Sequence, residues 1–570
     1  MIDLIPMPKK FVEHKGYLNC KAVHTDMQKL SERIQKAVET LPASEDGICL
    51  RVNFAKGGAE EYTVDIMPDS IEITAGADAG VFYAVQTIKQ LFEKEKVPCC
   101  HIEDKPDFKL RGFYHDVTRG RVPTLQTLKD LADKMAYYKL NSLQLYVEHT
   151  FEFKEYADSI DKTGYLTAAE IRELDSYCYE RFIELVPSLS TFGHLYELLQ
   201  KDCYKHLREA EDFEPDTIFW VNRMQHHTID PTNPESFALI KSLLDQYMPL
   251  FRSDKFNICC DETFDLERGR HKETYTSTLY TDFVSKIAEH VQAKGKTVMM
   301  WADILIKYPQ IEKNLPAGII FLNWDYAKNP SEQHIKLLKD MHRPQIVCPG
   351  TSSWMGLTER PEISVDNISH MAEWGYKYGA EGVLNTNWGD WGNPCSIELA
   401  MYSMLVGAEK SWSANTAIDL DFDDRVNKLL YKTDRGTNWL KCLDRIQNKF
   451  SWGDFVKCYS NHIYKKRFAV NIPDINTLIE IQKECDEFIA ELSSAVWTED
   501  EYRKEMLIAA EGIEVMAELL SKENGNPIER HTDTGKWLEK YRKRWLLKNK
   551  ESELREIERV FITMDKCLEG

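Results

Sequence analysis

The sequence has no long apolar run and no excess of basic residues. No stretch of about 18 consecutive apolar residues occurs, which predicts that no segment spans a membrane. Among its 570 residues, 92 acidic side chains outnumber 72 basic ones, and the net charge is −20. Because nucleic acid and anionic lipid attract a basic face, this balance argues against both kinds of partner.

The chain also lacks the marks of secretion and of a disulfide framework. Its first ten residues do not show the basic and then apolar order of a secretory signal. The 14 cysteines are scattered, and the adjacent pairs Cys99-Cys100 and Cys259-Cys260 have neither metal-ligand nor disulfide spacing. We therefore favour free thiols in a reducing compartment and expect a cytoplasmic protein.

The length predicts several domains, since a single core rarely exceeds roughly 250–300 residues. Residues 1–105 predict a small α/β domain, because Tyr62–Ile66 and Ile71–Thr74 alternate apolar and polar side chains before a helical pattern at Gly80–Phe92. After residue 416 the β signals fade. Helical spacing over Ile475–Ser494, Glu499–Leu520 and Thr534–Leu568 predicts a helical domain at 416–570. We expect this domain to brace its neighbour or to form an oligomer interface, such as that of a homodimer.

Residues 106–415 repeat a strand, loop and helix pattern. The predicted strands are Leu110–Val117, Ser142–Val147, Ile183–Leu189, Lys255–Cys260, Thr297–Ala302, Gly318–Trp324, Gln345–Pro349 and Gly382–Asn387. The predicted helices begin at Thr124 and cover about 167–181, 234–251, 277–294, 331–341, 366–379 and 395–410. Eight such repeats predict a (β/α)₈ TIM barrel. The competing doubly wound sheet is disfavoured because no glycine-rich phosphate loop follows the first strand.

Chemically active side chains follow the predicted barrel strands. The fourth strand runs directly into Asp261 and Glu262, at the end of the barrel where such folds place their chemistry. The other strands contribute Arg111, Glu148, His149, His194, Trp301, Trp324, Tyr326, Trp354, Trp388 and Asp390, for which we predict substrate-binding roles. Flat aromatic faces stack on sugar C–H groups while polar side chains bind hydroxyls, so the set favours a carbohydrate.

Other interpretations of these residues remain open. A single Trp more often packs in a core, and Asp-Glu is a common dipeptide. Glu148, His149, His194 and Asp261 are metal-ligand types, but no HxH or HExxH element occurs, and we predict neither a metal nor a cofactor. Most glycosidases need two carboxylates flanking the scissile bond, which neighbours on one strand cannot do. The seventh strand offers no acid, so the nucleophile must come from another strand or from the substrate.

The pair Asp261-Glu262 resembles the Asp-Glu pair of the family 20 glycoside hydrolases, the β-N-acetylhexosaminidases. The likeness extends to the segments Arg111–Arg119, Lys139–Gln144, Phe192–His194 and, in the first domain, Gly80–Leu91. It covers roughly residues 60 to 395. Cys259-Cys260 stand where the family usually has glycines, and Asp390 stands where Glu is common.

The resemblance implies an exo-acting enzyme that removes terminal β-linked GlcNAc or GalNAc from oligosaccharides or glycoconjugates with retention. The substrate's acetamido oxygen would be the nucleophile, Glu262 the general acid and base, and Asp261 the residue that orients the acetamido group. We expect the negative charge of Asp261 to raise the pKa of Glu262.

The resemblance also assigns supporting roles. By this resemblance Arg111 would bind sugar hydroxyls, and His194 would belong to the polar network behind the acid. The walls of the sugar pocket would be formed by Trp301, Trp324 and Trp388. Tyr326 would replace the family's tyrosine that binds the acetamido oxygen. Two alternatives remain: a retaining glycosidase whose nucleophile is Glu148, and a non-catalytic carbohydrate-binding barrel.

Overall fold

The first sheet lies at the beginning of the chain. The structure is a computed structural model that describes residues 2–157, 164–210, 219–224, 227–273, 277–464 and 468–567. The strands of this sheet are β1 (Lys10–Tyr17), β2 (Val23–His24), β3 (Ile48–Phe54), β4 (Tyr62–Met67), β5 (Ser70–Ala75) and β6 (Pro98–Asp104), in the spatial order β1-β6-β4-β5-β3-β2. Helices α1 (Glu32–Val38) and α2 (Asp78–Phe92) accompany it, and α2 packs on β4 and β5. The predicted strands and helix of this α/β unit are therefore present.

A closed barrel of parallel strands follows. Its strands are β7 (Leu110–Asp116), β8 (Ser142–Val147), β9 (Glu184–Leu189), β10 (Lys255–Asn257), β11 (Thr297–Trp301), β12 (Ile320–Trp324), β13 (Gln345–Cys348) and β14 (Gly382–Asn387), and β14 pairs with β7 to close the ring. The helices of this part are α3 (Leu125–Tyr137), α4 (Ala168–Glu180), α5 (Tyr196–Leu199), α6 (Phe219–Arg223), α7 (Pro234–Tyr247), α8 (Ser277–Ala293), α9 (Asp303–Lys307), α10 (Glu332–Asp340), α11 (Pro361–Tyr378) and α12 (Met401–Trp412). The predicted (β/α)₈ fold is confirmed.

The barrel helices begin where local chemistry favours it. Thr124 caps α3 by accepting a hydrogen bond from the backbone of Thr127, and Thr167 forms a capping box with Glu170 at the start of α4. At α12 the cap comes from a distant residue: the buried Glu359 carboxyl accepts the backbone N–H groups of Tyr402 and Ser403 at 3.1 and 2.9 Å. Burial outweighs these hydrogen bonds and raises the pKa of Glu359 to about 8.

The described residues after α12 are mainly helical. The helices are α13 (Leu420–Val426), α14 (Gly436–Gln447), α15 (Trp452–Ile463), α16 (Ile475–Ser494), α17 (Glu501–Glu523), α18 (Thr534–Lys548) and α19 (Leu554–Cys567). The helical segment predicted from Thr534 onward forms two helices, because Asn549 has an extended conformation and separates α18 from α19. Among the described residues, no helix is both long enough and apolar enough to cross a membrane. The cysteines whose side chains are described are free, as predicted.

Candidate active site

The turn after β10 places Asp261 and Glu262. The strand ends at Asn257, three residues earlier than predicted, and Cys259, Cys260 and Glu262 have φ values of 57°, 62° and 48°. Each left-handed non-glycine residue costs roughly 1–3 kcal/mol, so the surrounding structure must hold this turn. Tyr280 does so by donating to the carbonyl of Cys260 at 2.8 Å. Both carboxyls line one cavity because this turn, and not strand alternation, sets their direction.

The cavity at the carboxyl ends of the strands has a volume of about 260 Å³ and a largely aromatic wall. The predicted residues that line it are Asp261, Glu262, Trp301, Trp324, Tyr326, Trp354, Trp388 and Asp390. The indole of Trp388 donates to the Tyr326 hydroxyl at 2.7 Å, and the rings of Trp324 and Tyr326 stack at 5.1 Å. These contacts fix the orientation of the aromatic faces before any ligand binds.

His194 lies between the two carboxyls. Its Nε2 is 3.5 Å from Asp261 Oδ2 and 3.4 Å from Glu262 Oε2, while its Nδ1 is 3.9 Å from Glu148 Oε1. Burial alone would lower the pKa of the imidazole, but the charge of Asp261 and the close approach of both carboxyls raise it to about 10. His194 is therefore an imidazolium near neutral pH.

The expected rise in the pKa of Glu262 is wrong for the unliganded site. Burial raises this pKa, but the hydrogen bond and charge of His194, together with the charge of Arg119, outweigh burial and lower it below its usual value. The expectation considered Asp261 as the neighbour and missed the imidazolium. Without a ligand, the proton that His194 and Glu262 share lies on His194.

Arg111 does not lie at the cavity, and its predicted role in binding sugar hydroxyls is wrong. It is the second residue of β7, fully buried at the amino-terminal end of the barrel. Its guanidinium donates to Glu60 at 2.8 and 3.0 Å and to the carbonyl of Lys139 at 3.0 Å. Arg111 therefore joins the first sheet to the barrel.

Arg119 is the arginine that lies at the cavity. It pairs with Asp390 at 2.8 Å, and its guanidinium lies 5.1 Å from the ring centre of Trp388. It also approaches Glu148 Oε1 at 3.4 Å. The signal was present in the sequence, since Arg119 ends the same segment that begins at Arg111.

Glu148 and His149 lie behind the cavity wall. Glu148 is 2% exposed and accepts a hydrogen bond from the Tyr146 hydroxyl at 2.8 Å. Burial raises its pKa, but His149, Arg119 and His194 outweigh burial and lower it, so it is a permanently charged group. His149 Nδ1 is 3.7 Å from Glu148 Oε2, and neither residue is among the described residues that line the cavity.

Four further residues shape the site that the sequence did not single out. Asp303 accepts the backbone N–H of Glu262 at 3.0 Å, and burial together with the charges of Asp261 and Glu262 raises its pKa to about 8. Met224, Met355 and Trp391 complete the cavity wall. Asp303 directly follows the predicted fifth strand and Trp391 directly follows Asp390 after the eighth, whereas nothing in the pattern around Met224 and Met355 indicated the cavity.

Two clusters of described residues could hold a metal ion, and both lie outside the cavity. Glu209, Asp230 and His271 form one, and Asp486, Glu514 and His531 form the other. In the first cluster, Arg270 already pairs with Asp230 at 2.9 Å. The predicted site residues belong to neither cluster.

Comparison with known proteins identifies the family. The catalytic-domain model of glycosyl hydrolase family 20 matches residues 108–392, and the domain 2 model of the same family matches residues 2–105. The chain belongs to glycosyl hydrolase family 20.

Curated relatives share modest identity with the chain. A beta-hexosaminidase from Akkermansia muciniphila is 26% identical over 36% of this chain and 45% of its own length. Hexosaminidase D from Homo sapiens is 23% identical over 49% of this chain and 60% of its own length. The chain spans less than half the length of the first curated relatives that it matches.

Solved structures share the fold. A chitobiase from Flavobacterium johnsoniae aligns over 100% of this chain and 99% of its own, with a TM-score of 0.62 and 17% identity. A GH20 exo beta-N-acetylglucosaminidase from Vibrio harveyi aligns over 75% of this chain and 76% of its own, with a TM-score of 0.60 and 19% identity. The first of these likenesses includes the helices that follow the barrel.

Proposed function

We propose that the protein is an exo-acting β-N-acetylhexosaminidase that removes terminal β-linked GlcNAc or GalNAc with retention by substrate-assisted catalysis. One observation carries this proposal. Asp261 Oδ1 and Trp301 Nε1 are buried and have no hydrogen-bond partner among the described residues, although both side chains line the cavity beside Glu262. Buried polar atoms are rarely left unpaired, so these atoms favour a ligand that offers a donor and an acceptor, as an acetamido group does.

The acetamido group would supply the nucleophile. Its oxygen attacks the anomeric carbon as the bond to the leaving oxygen breaks, which forms an oxazolinium ring and shifts positive charge onto the acetamido nitrogen. Asp261 Oδ1 accepts the N–H of that nitrogen and stabilises the charge. Tyr326 is the cavity hydroxyl that we assign to the acetamido oxygen.

Glu262 would transfer the proton in both steps. His194 Nε2 gives its proton to Glu262 Oε2, 3.4 Å away, as the glycosidic oxygen approaches, and Glu262 protonates that oxygen as it leaves. The resulting carboxylate then takes a proton from the water that opens the oxazolinium ring. The sugar is released with its original anomeric configuration.

The alternative with a protein nucleophile is less well supported. A retaining enzyme of that kind needs a free carboxylate about 5–5.5 Å from the acid. Apart from Asp261 and Glu262, one described lining residue carries a carboxylate, Asp390. Arg119 forms an ion pair with this carboxylate at 2.8 Å. Glu148 lies behind Arg119 and His194, where a sugar cannot reach it without displacing them.

The substrate we propose is an oligosaccharide or glycoconjugate with a terminal N-acetylhexosamine. The names of the curated relatives support this class. The ion pair of Arg119 and Asp390 offers donors and acceptors for the remaining ring hydroxyls. The cytoplasmic location and the homodimer predicted from the sequence stay predictions.

A substrate screen tests the proposal. Purified protein is assayed on nitrophenyl β-glycosides of GlcNAc, GalNAc, glucose and galactose, and we expect cleavage of the acetamido sugars alone. Cleavage of only the sugars without an acetamido group would favour the Glu148 mechanism. Sugar binding without any cleavage would favour the non-catalytic barrel.

Variants of the pair test the assignment of roles. Glu262→Gln should lower kcat on chitobiose by roughly 10²–10⁴-fold because it removes the general acid, and less on nitrophenyl substrates, whose leaving group needs no proton. Asp261→Asn should lower kcat on both substrates, since the charge that stabilises the oxazolinium is lost. Glu267→Gln is the matched control, because Glu267 pairs with Lys307 outside the cavity. Wild-type rates for Glu262→Gln on chitobiose would overturn the acid assignment.

A further inference from the structure

The helices that follow the barrel lie directly behind part of the cavity wall. The indole of Trp452, the first residue of α15, donates to the backbone carbonyl of Trp391 at 3.0 Å. A Cβ at Gly453 would lie 2.9 Å from Met355 Cε and 3.7 Å from the Trp391 ring. A glycine at this position therefore lets α15 approach two residues that line the cavity.

A second contact reaches the cavity through α6. The carboxylate of Glu553, just before α19, accepts the indole N–H of Trp220 at 2.9 Å and a guanidinium N–H of Arg223 at 2.6 Å. Glu553 also donates its backbone N–H to the carbonyl of Gly120 at 3.4 Å. Glu553 thus contacts the second and the last residue of α6, and Met224, the residue after this helix, lines the cavity.

Burial makes this contact strong. The side chains of Arg223 and Glu553 are 3% and 14% exposed, and Glu197 accepts a second hydrogen bond from Arg223 at 3.2 Å. Burial lowers the pKa of Arg223, but Glu553, Glu197 and Glu148 outweigh burial and raise it. Arg223 is therefore a fixed cation whose partners extend from the helical region to the charged group behind His194. Removing one partner of such a buried pair is expensive, because the other charge loses part of its compensation.

We propose that Glu553 is a positioning residue for the sugar cavity: it holds Trp220 and Arg223 so that Met224 closes the wall beside Asp261 and Glu262. This inference rests on the proposed function and adds to it a role for the helical region in binding the substrate. Glu553 touches no reacting atom, so its effect passes through Met224. It follows that the helical region is part of the binding site as well as a support for the barrel.

Steady-state kinetics on nitrophenyl β-GlcNAc test this inference. Glu553→Ala should raise KM about tenfold, because α6 loses both charge-assisted contacts, while kcat stays within about threefold. Glu553→Gln keeps one acceptor oxygen and should raise KM by a smaller factor. The control is Glu558→Gln, which removes a pair with Arg542 at 2.9 Å within the same helices and should change neither constant.

A double-mutant cycle separates positioning from general destabilisation. Met224→Ala should reproduce the rise in KM without a lower Tm, and Met224→Ala combined with Glu553→Ala should add nothing further. Fully additive effects on KM, or wild-type KM values for a folded Glu553→Ala, would overturn the inference. A wild-type enzyme that cleaves no acetamido sugar would refute the proposed function instead. In that case the dissociation constant of free GlcNAc, followed by tryptophan fluorescence, gives the same comparison between variants.

Discussion

Replacing His194 with glutamine tests where the proton of the site lies. The imidazolium Nε2 is 3.5 Å from Asp261 and 3.4 Å from Glu262. The two carboxyls outweigh burial and move the pKa of His194 from 6.5 to about 10. At about 1.4 kcal/mol per pH unit, this rise favours the protonated ring in the folded protein by about 5 kcal/mol.

The pH dependence of kcat/KM reports the change. In the wild type, the shared proton is lost only near the pKa of His194, so activity should persist well above pH 8. In His194→Gln, the shared proton is held by Glu262 alone. The pKa of Glu262 rises in this variant because the group that lowers it is gone while burial remains, but a carboxyl is ordinarily a far stronger acid than this imidazolium. The alkaline limb should therefore move to lower pH, with about a tenfold loss of kcat/KM above it for each pH unit.

The assay compares wild type, His194→Gln and a control on nitrophenyl β-GlcNAc from about pH 5 to about pH 10. His290→Gln is the control, since His290 on α8 pairs with Asp245 on α7 at 2.8 Å, away from the cavity. Stability supplies a second readout. The stabilisation from His194 is complete below its usual pKa of 6.5 and is lost as the pH rises through about 10. The difference in Tm between the wild type and His194→Gln should therefore become smaller at alkaline pH. If kcat/KM fell at the same alkaline pH in the wild type and in His194→Gln, the assignment of the proton to His194 would be refuted.

Two further predictions concern the arginines and Glu359. Arg119→Lys should raise KM with little change in Tm, whereas Arg111→Lys should lower Tm and leave KM unchanged. The reason is that only Arg111 loses a buried pair of hydrogen bonds to the Glu60 carboxylate. The reverse pattern in steady-state kinetics and thermal melts would contradict our placement of both residues. The folded pKa of Glu359 is about 8 and lies above its usual 4.5, so this group lowers stability as the pH rises between these values. Glu359→Gln should remove that decline in the unfolding free energy measured at about pH 6 and about pH 9, and an equal decline in both proteins would show that Glu359 is not its source.

Much of the barrel could be predicted because its strands are continuous apolar runs with polar boundaries. Strands β8 and β14 have the predicted limits. Strand β10 ends early because Cys259 and Cys260 take left-handed conformations, which non-glycine residues rarely adopt and which no local pattern signals. The helical spacing across Asn549 likewise gave no indication that the chain becomes extended there.

Trp301, Trp324 and Trp388 end or directly follow their strands and line the cavity, whereas Glu148 directly follows β8 and lies behind the cavity wall. Arg111 and Arg119 occur in one segment, but Arg111 lies at the start of β7 and Arg119 lies three residues beyond its end, on opposite sides of the barrel. The lowered pKa of Glu262 depends on His194, which is 68 positions earlier in the sequence. Contacts of this kind between distant segments, such as that of Glu553 with Arg223, have no local signature.

The left-handed turn that carries Asp261 and Glu262 has a consequence for heat tolerance. Three residues there hold conformations that an isolated peptide would abandon, so the alignment of the two acids persists only while the neighbouring strands and the Tyr280 contact keep the turn in place. Proteins open locally at a lower free energy than that of global unfolding, and a segment that depends on its neighbours in this way is a candidate for such opening. Turnover should therefore fade on warming while circular dichroism still reports an intact barrel, and it should return on cooling.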